Sequence, residues 1–318
     1  MIEIDGLVGG GQILRTALSL SAVFQKPFTI KNIRKNRPKT GLAMQHLTCA
    51  KAVRSICRGE LIGAELGSAQ LTFIPGKIVG GRYNFDIGTA GSSILVAQTI
   101  LPILFNSDKK STVRIKGGTH VPFSPSYDYF ENVFLKAINL MGGEATSKLI
   151  STGYYPKGGG EIEINVKPSV FEPILDFPQK TEPKIVIRLG NLPLHIGVRE
   201  KKIFVHNGLE KVKIIEEKTQ SPGNSILIFS GLCGIDTLGE IGKRAEDVAA
   251  QALKIFKEQQ NYDVDNFLSD QILQYYCFCK KGKYTSSSFT DHLKSNVDVI
   301  SKFIDCKISL NEHVISIQ

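Results

Sequence analysis

Three consecutive glycines, Gly9, Gly10 and Gly11, lead directly into a stretch from Gln12 to Phe24 whose apolar spacing is that of a buried helix. Glycine leaves its backbone N–H groups uncovered, and the first turn of a helix adds unpaired donors at the positive end of a dipole. Together they outline a site for an anion the size of a phosphate. A glycine run of this kind also serves simply as a tight turn between a strand, here Ile2 to Asp5, and a helix. Glycines alone do not separate the two readings.

The elements that would have to position such a site follow from the whole chain. Its 318 residues, 42% hydrophobic, are enough to bury a substantial core with room for two domains. No segment has the roughly 18 uninterrupted apolar residues of a membrane span, and the N-terminal residues lack the basic and apolar regions of a signal peptide, so a cytoplasmic protein with no membrane partner is expected. Cys49, Cys57, Cys233, Cys277, Cys279 and Cys306 show neither zinc-ligand spacing nor a disulfide framework and read as reduced thiols. An excess of 39 Lys and Arg over 30 Asp and Glu, a net charge of +9, suits a polyanionic partner without requiring one.

Hydrophobic periodicity predicts a strand at 2–5, a helix at 12–24, a strand at 28–33, a helix at 41–57 and strands at 61–66 and 70–74, in the order β-α-β-α-β-β. The order returns with strand 82–87, helix 92–105, strand 112–116, helix 125–141 and strands 144–151 and 160–166. A third copy is interrupted: 170–177 supplies its opening strand, and helix 267–280, strand 283–288, helix 292–304 and strands 307–310 and 313–317 complete it. Between them lies an insertion, 181–262, bounded by polar segments and reading as strand 184–190, helix 201–218, strands 225–231 and 237–241 and helix 245–259. The prediction is an α/β (α+β) fold. Three β-α-β-α-β-β units at 1–180 and 263–318, each a four-stranded sheet carrying two helices, form the body, and a smaller β-α-β-β-α domain is inserted at 181–262.

Several segments now carry a resemblance. The run Gly9 to Ser21, the run Ile33 to Arg37 leading to Gly41 through His46, the segment Gly88 to Ser93 and the segment Gly153 to Gly160 resemble the RNA 3'-terminal phosphate cyclase family. Phe267 to Gln271 resembles the family's nucleotide-binding segment, and His292 to Val297 the segment with its nucleophilic histidine. Each is weak alone; all of them in this order are specific and span essentially the whole chain. The family's fold, three repeats resembling the C-terminal domain of bacterial translation initiation factor three plus a small inserted domain, agrees with the plan above.

The resemblance implies ATP-dependent conversion of an RNA 3'-phosphate to a 2',3'-cyclic phosphate through enzyme-histidine-AMP and an RNA whose 3'-phosphate carries AMP. It makes His292 the nucleophile, placed after the polar turn 286–291 at a helix start, where the dipole favours a neutral imidazole. It places the nucleotide against Gln12, Arg15, Gln98, Phe267, Leu268, Ser269, Asp270 and Gln271, with Phe267 stacking on adenine and Pro125 as the opposite wall. Arg15, Arg34 and Arg37 become phosphate-binding guanidiniums, and Arg34, Arg37, Gln45 and His46 face the RNA end. Without the resemblance, Arg34 and Arg37 would read as solvated surface residues and Phe267 and Leu268 as core. His120 sits in a loop with no role to carry over.

The chain departs from the family pattern at three points. Where a glutamate implicated in binding the divalent metal, Mg2+ or Mn2+, usually precedes the glycines, this chain has Asp5-Gly6-Leu7-Val8-Gly9, so no metal ligand is assigned; Asp5 and Glu3 are the acidic residues left nearby. Thr152 stands where Arg or His is general, and Phe267 where Tyr is common. Two other classes stay open: a non-catalytic ribosome-assembly branch of the same fold, which lacks the histidine, and carboxyvinyl transferases built on comparable repeats, which lack the His292 segment. Whether the protein forms a homodimer is also open.

Overall fold

The computed structural model describes residues 1–7 and 10–318; Gly9, the first residue of the glycine run, lies outside the described residues. The chain opens with β1 (Ile2–Asp5), α1 (Gly10–Phe24), β2 (Phe28–Lys31), α2 (Met44–Cys57), β3 (Glu60–Ile62) and β4 (Leu71–Ile74). It continues with β5 (Arg82–Asp86), α3 (Ser93–Phe105), β6 (Ser111–Gly117), α4 (Tyr127–Tyr129), a π-helical turn (Phe130–Phe134), α5 (Leu135–Leu140), β7 (Glu144–Ser151) and β8 (Gly160–Lys167). The first two sheets share one order, β1-β2-β4-β3 and β5-β6-β8-β7, in which the first pair is parallel and the others antiparallel.

Alternation explains why these sheets have one covered face. In β8, Ile162, Ile164 and Val166 point into the core, while Glu161 and Glu163 face outward, where Arg114 of β6 donates to Glu163 at 2.8 Å. Helix α3 is different: apolar on every side, it is buried almost throughout and packs against α1 and α2, the pattern of a helix with no solvent face.

The segment 181–262, expected from the sequence to be an insertion, carries β9 (Lys184–Gly190), α6 (Leu194–His206), β10 (Val212–Glu217), β11 (Gly223–Ser230), β12 (Cys233–Leu238) and α7 (Ala245–Gln259). Its sheet, β10-β9-β11-β12, has a hydrophobic cluster of its own built from Ile185, Ile187, Phe204, Ile226, Ile228, Val248 and Phe256 among others. The helix expected at 201–218 lies earlier, and an additional strand follows it, so the element order is β-α-β-β-β-α. Asn207 and Gly208 stop the helix, Gly208 at φ +77°, and 212–217 then pairs in parallel with β9.

The chain ends in α8 (Asn266–Cys279), β13 (Gly282–Thr285), α9 (Asp291–Phe303), β14 (Ile308–Asn311) and β15 (Val314–Ile317). The third sheet, β13-β15-β14, has three strands, not four. The segment 170–177, expected to open it, forms no strand among the described residues. Pro173 removes a backbone donor there and lies against Gly282 of β13, where a Cβ would meet the proline ring at 2.9 Å; Phe171 and Ile174 are instead buried in the main core. No described helix is long and apolar enough to cross a membrane.

Candidate functional site

Five helices converge at one end of the body. Thr16 of α1 donates to Asn296 Oδ1 of α9 at 2.9 Å, and further along Lys26 Nζ donates to the Phe303 carbonyl at 2.8 Å. Two such ties in the same sequence direction make α1 and α9 run alongside each other in parallel, which sets the start of α9, with His292, level with Gly11 and Gln12. Asn296 Nδ2 donates to the Asp270 carbonyl of α8 at 3.1 Å, and Gln98 Nε2 of α3 donates to Gln271 Oε1 at 2.7 Å. Helix α2 closes the ring: a Cβ on Gly11 would lie 2.0 Å from His46 Nε2 and 3.2 Å from Arg15 Nη1. Gln45 Oε1 accepts from Ser92 N at 2.6 Å, at the N-cap of α3.

Glycine is thus required at position 11 by close approach and at position 10 by conformation, since Gly10 has φ +61° and faces the Arg37 guanidinium. Arg34, itself at φ +53°, donates Nη1 to the Gly41 carbonyl at 3.0 Å, which turns the loop 33–41 toward the same place. Arg37 is exposed, whereas Arg15 and Arg34 are half-buried.

The electrostatics follow from this crowding of cations. Burial, then Arg15 and Arg34, hold the His46 imidazole down at about 3, so the ring is neutral, and its buried Nδ1 finds no partner among the described residues. His292 sits exposed in the first turn of α9, whose N-cap Thr290 accepts from Leu293 N at 3.0 Å. Its pKa is lowered by desolvation and by Arg15 and Arg37, against a small opposing pull from Asp291. A neutral imidazole beside two guanidiniums and two helix N-termini is arranged for attack on an electrophile that carries negative charge. Burial pushes the Asp270 carboxyl up to about 8, opposed by Arg15 and Gln12, so near neutrality it can donate as well as accept.

The remaining sequence-predicted residues are distributed unevenly. Phe267 is 51% exposed in the first turn of α8, an open aromatic face, and Pro125 is half-buried ahead of α4. Leu268 and Ser269 are fully buried, Leu268 within the core, while the Ser269 carbonyl accepts from the Tyr284 hydroxyl at 2.7 Å.

Sequence reasoning missed the residues that support these groups. Asp265 caps α8 by accepting from Phe267 N and Leu268 N at 2.9 and 2.8 Å; an Asp just ahead of an apolar-periodic run was the available signal. Asn266 Oδ1 accepts from Ser286 Oγ, Ser287 Oγ and Ser288 N, and so shapes the polar turn that precedes His292. His120 is buried with Nε2 3.1 Å from Asp128 Oδ2, a carboxylate that also takes two donors from Arg188 of β9.

The residues present do not form a protein cage for a divalent metal. Among the described residues no three His, Cys, Asp or Glu groups cluster for one. Asp5 is already engaged by Leu7 N and Asn32 Nδ2, and Glu3 pairs with Lys31.

Fold and site together define a sheet-and-helix protein in which paired helix N-termini, three arginines and two neutral histidines make a cationic pocket suited to phosphate chemistry. A family model described as RNA 3'-terminal phosphate cyclase matches residues 7–310, and the chain belongs to that family. It is 45% identical over 325 residues to the RNA 3'-terminal phosphate cyclase of Sulfolobus acidocaldarius and 41% identical over 316 residues to that of Archaeoglobus fulgidus, with 96% of each chain covered in both comparisons. The protein of the same name from Sulfurisphaera tokodaii is 42% identical over 330 residues, covering 98% of this chain and 96% of its own.

Proposed function

We propose that this protein cyclises RNA 3'-terminal phosphates at the expense of ATP. The observation that carries the reading is His292: exposed at the start of α9, held neutral, and level with the glycine turn, Arg15 and Arg37. An imidazole nitrogen of His292 attacks the α-phosphorus of ATP; the new N–P bond replaces the bond to the β-phosphate, and pyrophosphate leaves with the electron pair. An oxygen of the RNA 3'-phosphate then takes AMP from the histidine. Finally the neighbouring 2'-OH attacks the activated phosphorus, loses its proton and expels AMP, leaving the 2',3'-cyclic ester.

Activation is needed because a phosphate dianion has no good leaving group, and the last step gains from a hydroxyl already held beside its target. Arg15, Arg34 and Arg37 neutralise the negative charge that gathers in each step. Phe267 and Pro125 face the adenine, with Asp270, Gln271 and Gln98 at its polar edges. A divalent ion, Mg2+ or Mn2+, would be held by the nucleotide phosphates and water, as Mg2+ tolerates, and would supply charge neutralisation.

The test is incubation with ATP labelled in its α-phosphate. Wild-type protein should acquire an acid-labile, alkali-stable label that RNA ending in a 3'-phosphate discharges, and His292→Ala should acquire none. Absence of label in the wild type with either ion would refute the reading and favour the assembly-protein alternative.

A further inference from the structure

The segment 181–262 meets the proposed nucleotide pocket through β12 and, at the start of α8, through Gln259 of α7, whose Oε1 accepts from Asn266 N at 2.8 Å. β12 is the outer strand of its sheet, and an outer strand carries N–H groups that need partners outside the sheet. Gly234 N donates at 2.9 Å to Asp265 Oδ2, on the same buried carboxylate whose other oxygen caps α8 at Phe267 and Leu268. Two residues on, Asp236 Oδ2 accepts from Ser126 N, the amide that directly follows Pro125. Leu232, just ahead of β12, forms a parallel bridge to Val264, and the Tyr129 hydroxyl donates to Asp265 at 2.8 Å, tying α4 to the start of α8.

Pro125 and Phe267 belong to chain segments more than a hundred residues apart; Tyr129 ties those segments together at Asp265, and β12 is hydrogen-bonded both to the residue that follows Pro125 and to the carboxylate that caps the helix of Phe267. We propose that β12 sets the spacing of the two adenine walls, with Asp236 as a positioning residue for the nucleotide, so that the insert acts on the ATP side of the reaction. This rests on the nucleotide reading above. The fit is further defined on the α3 side, where Ser124, next to Pro125, shares a hydrogen bond with Ser92 at the α3 N-cap. Arg188 of β9 holds Asp128 of α4 from the other flank.

The experiment uses the full chain and compares Asp236→Ala with Asp236→Asn, which keeps an oxygen to accept from Ser126 N. Asp236→Ala should weaken ATP binding, and raise the KM for ATP in self-labelling, by roughly 10- to 100-fold, the loss expected when a buried amide, here Ser126 N, is left without its acceptor. The rate at saturating ATP and the KM for 3'-phosphorylated RNA should stay near wild type, and Asp236→Asn should restore most of the ATP affinity. An unchanged ATP KM in the alanine variant, a fall in kcat without a change in KM, or an asparagine variant as impaired as the alanine one would each overturn the proposal.

Hydrogen exchange on the wild type reads the same coupling if the alanine variant misfolds. ATP should raise protection of the Ser126, Gly234 and Phe267 amides together, and protection at 126 and 267 without 234 would overturn it. Wild-type protein that binds ATP without labelling refutes the reaction and leaves β12 to be judged on ATP affinity; wild-type protein that does not bind ATP overturns both.

Discussion

Gly11→Ala is the most direct probe of the site's geometry. The added methyl would lie 2.0 Å from His46 Nε2 and 2.7 Å from its Cδ2, where ordinary contact begins at 3.4 Å. Something must therefore shift by about 1.4 Å, because a gap that far inside van der Waals contact is strongly repulsive. His46 is buried and cannot swing into solvent, and Arg15 Nη1 lies 3.2 Å from the same methyl, so relief comes from displacing the α1 N-terminus or the imidazole. Overpacking of this kind costs about 1–3 kcal/mol, which at this chain length lowers Tm by about 2–6 °C.

Activity should suffer more than stability, since misplacing reacting groups by about 1 Å costs roughly a hundredfold. The assay is thermal unfolding beside the initial rate of self-labelling from α-labelled ATP. Adding His46→Ala empties the space the methyl needs, so the double variant should be more stable than the sum of the single effects by about 0.5–3 kcal/mol. A Gly11→Ala protein with wild-type Tm and labelling rate, or strictly additive stabilities, would refute the packing argument.

The pH responses carry signs fixed by the same charges. Because His292 is lowered by desolvation and then by Arg15 and Arg37, the acid limb of self-labelling should fall below the ordinary histidine value of 6.5, and Arg37→Gln should move it upward; a limb that Arg37→Gln leaves in place would contradict this. For His46, with its folded value near 3 and ordinary value 6.5, stability is fully present above pH 6.5 and declines toward pH 3 as the unfolded chain takes up a proton first. His46→Gln should flatten that decline in denaturation midpoints measured across the range. Asp270 has the opposite slope: between its ordinary 3.8 and about 8 only the unfolded chain ionises, so wild-type stability falls as pH rises, and Asp270→Asn should lose that fall.

What the sequence disclosed depended on whether a residue's role was local. The strand alternation in β8 and the all-apolar run of α3 have fixed periods, and both were legible. The segment 170–177 looked like a strand because Phe171 and Ile174 are apolar, yet those residues serve the core, and Pro173 denies the edge a donor. The helix expected at 201–218 ends at His206 because Asn207 and Gly208 stop it, a local signal that competes with the apolar spacing further on. His292, His46 and the arginines were reached through motif resemblance, and the structure brings them together. Asp236 and Asp265 had no comparable signal for their tertiary roles, since Asp236 meets Ser126 across 110 positions and Asp265 meets Tyr129 across 136.

The arrangement of charge also bears on the order of events in the proposed reaction. In the free site desolvation, reinforced by the arginines, keeps His292 unprotonated, and the same influences make its nitrogen a weaker base. A bound polyphosphate offsets those cations, so basicity returns to the imidazole when the phosphorus it attacks is in place. Once pyrophosphate departs, the arginines again act on the modified ring, and a weakly basic nitrogen is the better leaving group from phosphorus. Arg15, which acts on both His46 and His292, is central to this exchange. One set of guanidiniums thereby favours loading of AMP onto the histidine while the nucleotide is bound and its onward transfer afterwards.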